Sequence, residues 1–406
     1  MGMNLDKMKV WLQRRDVLCG LWLLLGLVSA ILKIKSNNFL IFRGVFWHTW
    51  QGVSLYAPYP EEYFDTNHYG PLFSVIVAPF AIMPVWLGVV CWHVAMAALL
   101  YVAIRRMPID WAKQVFVLWF CAHELLTALF MSQFNIAICA LVVGAYICVE
   151  KEKDHWATFL ILIGTFVKLY GIVGLAFFLF SKHKWRFVWS FAAWSVVLFA
   201  LPMIISSPEY VVDQYVGWYQ SLSEKNADNM FSGGTNISLL GLVRKVGALV
   251  VGRDMASAYS DMWIIVPGCV LFALPYLRFR QWASADFRAM FLCSALCFLV
   301  LFSTGSESSG YITPFVGISI WYCCVPWRRT RWDIALMVFA FILTSMSPSD
   351  LFPAYVRREI VQPYALKALP IVVIWLKMVY EMLTRDYLQT AEEASAGAAT
   401  SDCVKP

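Results

Sequence analysis

The stretch Leu55-Tyr-Ala-Pro-Tyr-Pro-Glu-Glu-Tyr-Phe-Asp-Thr-Asn-His-Tyr-Gly-Pro71 crowds Glu61, Glu62, Asp65 and His68 among Tyr56, Tyr59, Tyr63, Phe64 and Tyr69. It is polar and acid-bearing, and it stands between long apolar runs, so its carboxylates fall where a lipid-borne substrate could reach them. Ring faces pack on the apolar faces of a pyranose, and carboxylates accept its hydroxyl hydrogens. The same aromatics would also gather at a bilayer interface through their amphipathic shape alone.

Other groups stand at membrane depth, where a charge is costly and usually faces a cavity, a partner or a substrate. Glu124 sits beside His123, about two turns before Ser132-Gln133; it either belongs to such a cavity or pairs locally and fixes packing. Lys168, inside Phe159-Leu-Ile-Leu-Ile-Gly-Thr-Phe-Val-Lys-Leu-Tyr-Gly171, is what an embedded phosphate site needs, or it snorkels to an interface. The turn Gly233-Gly-Thr-Asn-Ile-Ser-Leu-Leu-Gly241 either presents backbone N–H groups to an anion or is an ordinary helix cap. Glu307 ends an apolar run and could turn toward the same cavity.

The elements that must position these groups are membrane spans. Apolar residues make up 60% of the chain and charged residues 14%, and mean hydropathy is +0.65, which no water-soluble domain of this length shows. No Asp, Glu, Lys or Arg occurs from Pro71 to Ile104, Leu125 to Val149, Phe187 to Pro208, Ala289 to Ser306 or Ser308 to Trp327. Since about 20 apolar residues cross a bilayer as a helix, these are spans or pairs of spans. Val17 to Leu32, after Lys7, Lys9, Arg14 and Arg15, lacks a small-residue cleavage site and reads as an uncleaved anchor with its N-terminus cytoplasmic.

Basic turns set the orientation. Arg105-Arg106, Lys151 with Lys153, Lys182 to Arg186, Arg278 with Arg280, and Arg328 to Arg331 mark cytoplasmic turns, whereas Ser132 to Asn135 and Thr304 to Gly310 carry no Lys or Arg and fall outside. The alternation closes only if Trp156 to Ser181 forms two short helices broken near Lys168 to Gly171. Pro71 to Met83 should lie along the outer surface or dip in, with Pro84 starting the next crossing. The fold class is therefore an all-α polytopic membrane protein with about ten to twelve transmembrane helices, one domain over 1–388, and interfacial helices in long external loops near 35–69, 207–261 and 347–367. The tail 389–406 reads as a disordered cytoplasmic end.

Cysteine chemistry is not indicated: ten of eleven Cys lie in or beside apolar runs, Cys403 is in the tail, and no CxxC pair or His spacing suggests a metal site. The net charge of +6 is a topology signal with no nucleic-acid patch behind it. No P-loop or dinucleotide motif occurs, so group transfer here must draw on a donor already in the membrane.

In order along the chain, the pieces from about Asn37 to Tyr322 resemble glycosyltransferase family 87, the polyprenyl-phosphate-sugar-dependent mannosyltransferases of the C-type glycosyltransferase fold. The resemblance rests on Tyr69-Gly-Pro-Leu-Phe73 leading to Ala78-Pro-Phe80 and Met83-Pro84, on Ser132-Gln-Phe-Asn135, on Phe166-Val-Lys168 followed by Lys182-His-Lys-Trp-Arg186, on Asn236-Ile-Ser-Leu239, and on Glu307 to Tyr311. It implies transfer of a hexose, mannose by the family pattern, from a polyprenyl-phosphate donor to an envelope glycan or glycolipid acceptor outside the plasma (inner) membrane. A carboxylate of the first external loop acts as general base and the phosphate departs, usually with inversion. Family members commonly carry an Asp early in that loop, where this chain reads Ser36-Asn37-Asn38-Phe39.

An amide cannot take the proton. Asp65 is then the favoured base, as the only Asp of the loop, followed by Glu61, Glu62, Glu124 and Glu307. Lys168, Arg43 and Arg357-Arg358 are candidates for the departing phosphate. His68, Tyr69, Gln133, Asn135 and Asn236 complete the expected substrate-binding set. No cofactor is required, although paired carboxylates near a pyrophosphate-like site leave room for Mg or Mn. Competing readings are a lipid-linked sugar transporter or flippase using Glu124 and Lys168, and an inactive scaffold of envelope-polymer assembly, which Asn37-Asn38 keeps open.

Overall fold

The structure is a computed structural model that describes residues 5–232 and 234–388; every regular element among them is helical. The tail 389–406, expected to be disordered, lies outside the described residues. The chain packs as two compact units, Met1–Asn229 and Met230–Pro406.

The first unit holds α1 (Leu5–Leu12), α2 (Arg15–Leu32), α3 (Asn37–Gln51), α4 (Phe73–Ala81), α5 (Val85–Arg106), α6 (Trp111–Phe130), α7 (Asn135–Glu150), α8 (Asp154–Lys168), α9 (Lys184–Ala200) and α10 (Pro208–Asp228). By length and composition four segments can cross a bilayer: Arg15–Leu32, Val85–Arg106, Trp111–Phe130 and Lys184–Ile204. Their outward faces are apolar, with Leu24, Ile31, Trp185, Trp189 and Val196 exposed, a surface that lipid and not water would cover. Helix α7 is buried on nearly every side, in keeping with a sequence that is apolar all round.

The breaks between helices follow local chemistry. Helix α3 starts where Ser36 Oγ accepts from Phe39 N and stops at Gly52, which adopts φ 69°. Helix α4 gives way to α5 at Pro84, as the sequence predicts, and Arg43 Nε and Trp47 Nε1 donate to the otherwise orphaned Ala81 carbonyl at 3.1 and 3.3 Å. Helix α8 ends at Lys168, Leu169 turns left-handed (φ 55°), and the chain returns as a 3₁₀ segment, Tyr170–Phe180. The expected break near Lys168 to Gly171 is therefore present. Gly171 permits the return: a Cβ there would strike the Ile161 carbonyl and the Thr165 amide of α8. At the opposite end of α8, Arg186 pairs with Asp154 at 2.7 Å and Lys182 with Glu152 at 2.7 Å, so the basic turns gather away from the Lys168 tip.

The second unit contains α11 (Leu239–Val251), α12 (Arg253–Ala258), α13 (Met262–Ala273), α14 (Ala285–Leu301), α15 (Ile312–Cys324), α16 (Arg331–Phe339) and α17 (Leu369–Thr384). Its core is the packing of α14 on α15, closed by α17, where Trp375 Nε1 donates to Ser294 Oγ at 2.9 Å. Helix α11 is amphipathic with its charges inward: Arg244 and Lys245 are buried while Val243, Val246, Leu249 and Val250 are exposed. Burial lowers the Lys245 pKa to about 8, and its ammonium donates to the Ser232 and Thr235 carbonyls at 2.7 and 3.1 Å.

Candidate active site

A tight turn between α6 and α7 carries Gln133 and Asn135, and it is fixed by a chain of hydrogen bonds with one consistent direction. Phe39 N–H donates to Ser36 Oγ, which donates to Ser132 Oγ (2.7 Å). His93 bridges Ser132 Oγ on Nε2 (2.8 Å) and Ser29 Oγ on Nδ1 (2.9 Å), while Ser29 donates to the Gly26 carbonyl (2.8 Å). Because Ser29 has spent its hydrogen on Gly26, His93 must donate from Nδ1 and accept from Ser132 on Nε2, which makes it a neutral imidazole. Trp92 Nε1 also donates to the Ser132 carbonyl at 2.9 Å. Ser132 itself is left-handed (φ 52°), a conformation such a network can hold.

The tip of α8 reaches this turn. Lys168 Nζ donates to Asn135 Oδ1 at 2.8 Å and Gln133 Oε1 at 3.2 Å, and lies 5.5 and 5.4 Å from the ring centres of Tyr69 and Tyr170. The ammonium therefore lies against two amide oxygens and two ring faces, contacts that help hold it at the tip of α8.

The loop 52–72 is laid directly against that tip. Gly70 N donates to the Val167 carbonyl at 3.0 Å, and a Cβ on Gly70 would strike the Phe166 carbonyl, so only glycine fits. Asn67 closes on Tyr69 twice, accepting from its N–H at 3.0 Å and donating to its carbonyl at 3.1 Å, while Tyr69 stacks on Phe73. One face of α10 clasps the loop from the other side. Gln214 Oε1 accepts from Leu55 N (2.8 Å), Trp218 Nε1 donates to the His68 carbonyl (2.9 Å), Ser221 Oγ meets His68 Nδ1 (2.8 Å), and Lys225 Nζ lies 3.8 Å from Asp65. These α10 positions recur at helical spacing, which explains why one helix holds so much of the loop.

Asn37, in the stretch where the resemblance led us to expect an acid, grips the backbone one residue before Asp65: its Nδ2 donates to the Phe64 carbonyl at 2.7 Å and its Oδ1 accepts from Phe64 N at 2.8 Å. A carboxylate could make only the second bond. Asp65 then adopts φ 71° and its Oδ1 accepts from Thr66 N at 2.8 Å. Of the six non-glycine residues with positive φ among the described residues, Asp65, Ser132 and Leu169 flank this region.

Between the loop and α10 lies a cavity of about 670 Å³, lined by Asp65, Thr66, His68, Ser221 and Lys225 together with Asp213, Glu224 and Asp228. Burial first, and then the charges of Lys225 and Lys168, push the His68 pKa down to about 4 against the opposing pull of Asp65 and Asp228. His68 is thus neutral near pH 7, its Nδ1 in contact with Ser221 Oγ at 2.8 Å and its Nε2 near Thr66 Oγ1 at 3.4 Å. The Asp65 side chain is 60% exposed, reachable by a substrate in the cavity. Among the described residues no group of three or more His, Cys, Asp or Glu could hold a metal ion.

The structure places Tyr69, Gln133 and Asn135 against Lys168, and Asp65 and His68 in the cavity beside α10, with His68 near enough to feel the Lys168 charge. The other first-unit candidates lie elsewhere within that unit. Glu61 is exposed and lines neither cavity of the loop. Glu62 and Arg43 face a second cavity along α3, and Glu124 is fully buried within α6. In the second unit, the Asn236 and Ile237 amides donate to the Thr304 and Ser306 carbonyls at 3.1 and 2.9 Å, and Ser238 Oγ caps α11 through Gly241 N, which is the capping alternative realised. Glu307 precedes a short 3₁₀ turn, Arg357 pairs with Asp350, and Arg358 is exposed. Sequence reasoning missed Asn37 as a clamp, His93, and the α10 partners Ser221 and Lys225; the Pro208-Glu209 start and the i, i+4, i+7 spacing of Gln214, Trp218 and Ser221 were the available signal.

The chain matches the family described as glycosyltransferase family 87 over residues 67–304, more than half its length. A comparison with curated proteins finds no match.

Proposed function

Since the chain belongs to glycosyltransferase family 87 and is a membrane glycosyltransferase, we propose that it moves a hexose, mannose by family pattern, from a polyprenyl-phosphate donor to an envelope glycan or glycolipid. The acceptor binds in the loop cavity. Asp65 takes the proton of the acceptor hydroxyl as its oxygen bonds to the anomeric carbon, and the bond from that carbon to the phosphate oxygen breaks. The electron pair leaves with the polyprenyl phosphate, whose charge meets Lys168 between Gln133 and Asn135. The shorter apolar helices, such as Asn135–Glu150, Tyr170–Phe180 and Met262–Leu277, complete ten to twelve crossings, with both termini cytoplasmic and the loop outside the plasma membrane.

The observation that supports this reading best is the Gly70–Val167 backbone bond, which ties the loop carrying Asp65 and His68 to the end of α8, one residue before Lys168. Base and phosphate sites on neighbouring walls are what a direct displacement needs. The test is purified protein in nanodiscs with radiolabelled polyprenyl-phosphate mannose and mannoside acceptors. Asp65→Asn should lower transfer by about 10²–10⁴-fold, the usual weight of a general base. Transfer that survives in this variant removes Asp65 as the base, and lipid-sugar translocation without bond cleavage would replace the transferase with a flippase.

A further inference from the structure

The cavity that Arg43 and Glu62 face is separate from the one Asp65 lines. It measures about 400 Å³ and is bounded by Leu40, Arg43, Gly44, Trp47, His48, Gln51 and Glu62, a size in the range that holds small ligands. All but Glu62 come from one face of α3, at helical spacing. Gly44 keeps the floor open, with the Tyr63 ring packed close beneath. His48 is 2% exposed, its Nε2 lies 3.2 Å from Glu62, and its ring packs on Tyr59 at 3.9 Å between centres. Arg43 spends Nε on the Ala81 carbonyl at 3.1 Å and makes no ion pair among the described residues, so the rest of its fork of donors remains for a ligand.

The lining decides the ligand class. One cation and one carboxylate share a small space, so a phosphate would meet Glu62 and an amine would meet Arg43. A neutral polyol suits both: the guanidinium donates to hydroxyl oxygens, the carboxylate accepts from hydroxyl hydrogens, Gln51 does either, and Trp47 offers a ring face to C–H groups. The short stretch Pro58 to Asp65 contributes to both cavities, with Glu62 N bonded back to the Tyr59 carbonyl at 2.9 Å as the dividing turn. We propose that the α3 cavity is a second carbohydrate subsite, which holds a sugar already linked to the acceptor. Resting on the transferase reading above, this makes the acceptor an oligosaccharide or a glycolipid with two or more hexoses.

The experiment is saturation-transfer NMR on the full chain in nanodiscs, titrated with methyl α-mannoside and a linear methyl mannotrioside, without donor. The trisaccharide should bind at least tenfold tighter than the monosaccharide, and Gln51→Ala and Trp47→Ala should each remove about tenfold of its affinity. Trp47 also supports the Ala81 carbonyl, whereas Gln51 makes no such bond, so Gln51→Ala is the decisive variant. Equal affinity for the two glycosides, or trisaccharide binding untouched by Gln51→Ala, overturns the subsite. Inorganic phosphate that displaces the trisaccharide, with the displacement lost in Arg43→Gln, overturns it in favour of an anion site. Binding is read without transfer, so loss of the subsite with intact Asp65-dependent transfer fails this inference alone, and the converse result fails the transferase reading alone.

Discussion

Asn37→Asp restores the residue type the family pattern places early in the loop, and on motif logic it should raise activity. The geometry predicts the reverse. Asn37 holds Phe64 by a donated bond of 2.7 Å and an accepted bond of 2.8 Å. The carboxylate keeps the accepted bond, loses the donated one, and brings a charged oxygen against the Phe64 carbonyl. Loss of a neutral bond is worth roughly 0.5–1.5 kcal/mol, and a carbonyl left without its donor adds to this, for about 1–3 kcal/mol in all. That is enough to open a clamp adjacent to Asp65, and a displacement of about 1 Å at a reacting group costs about 10²-fold in rate. The assay is kcat with radiolabelled polyprenyl-phosphate mannose at saturating acceptor, alongside Asn37→Ala, which loses both bonds and should fall at least as far. A variant Asn37→Asp that transfers as fast as the parent, or faster, would show that the base belongs at position 37 and that Asp65 is not needed.

Lys168→Met should reduce kcat by about 10²–10³-fold with little change in acceptor KM, the loss expected when one preorganised donor to a developing anion is removed; a unit charge about 4 Å away at an effective dielectric near 20 is worth about 4 kcal/mol, which sets the upper limit. Lys168→Arg should recover part of the rate, and a methionine variant within threefold of the parent would remove the lysine from the phosphate site. Stability should depend on pH through His68. Its folded pKa of about 4 lies below the ordinary value of 6.5, so the unfolded chain binds more protons between these limits; the contribution is fully present above about 6.5 and is lost as pH falls toward 4. Denaturation of the nanodisc protein across pH 4–7 should show that loss, and His68→Gln should make it smaller.

The spans were legible because lipid imposes a rule the sequence must state openly: long runs without Asp, Glu, Lys or Arg, interrupted by basic turns. The break at Lys168 to Gly171 was readable for the same reason, as a charge and glycines inside an apolar run, and Pro84 announced the start of α5 through its missing N–H. The candidate carboxylates were legible as a composition, but their ranking was not. Glu61, Glu62 and Asp65 lie within five positions of one another, yet one is plainly exposed, one faces α3 and one lines the cavity beside α10. Backbone turns separate them, notably Asp65 at φ 71°, and side-chain type does not encode that. Asn37 shows the limit most clearly. By sequence it sits in a stretch where the resemblance expects an acid; in the fold it is a two-sided amide clamp.

Chain chemistry by itself settled that this is a helical membrane protein with polar loops between its apolar helices, since each such statement depends on residue type and local spacing. Only tertiary packing decided which groups meet. The Ser36–Ser132–His93–Ser29 relay, the Gly70–Val167 bond and the α10 face join residues from 39 to 159 positions apart. Such pairings arise when backbone and hydroxyl groups, denied water, must find each other across helices, and no local pattern states which partner each will find.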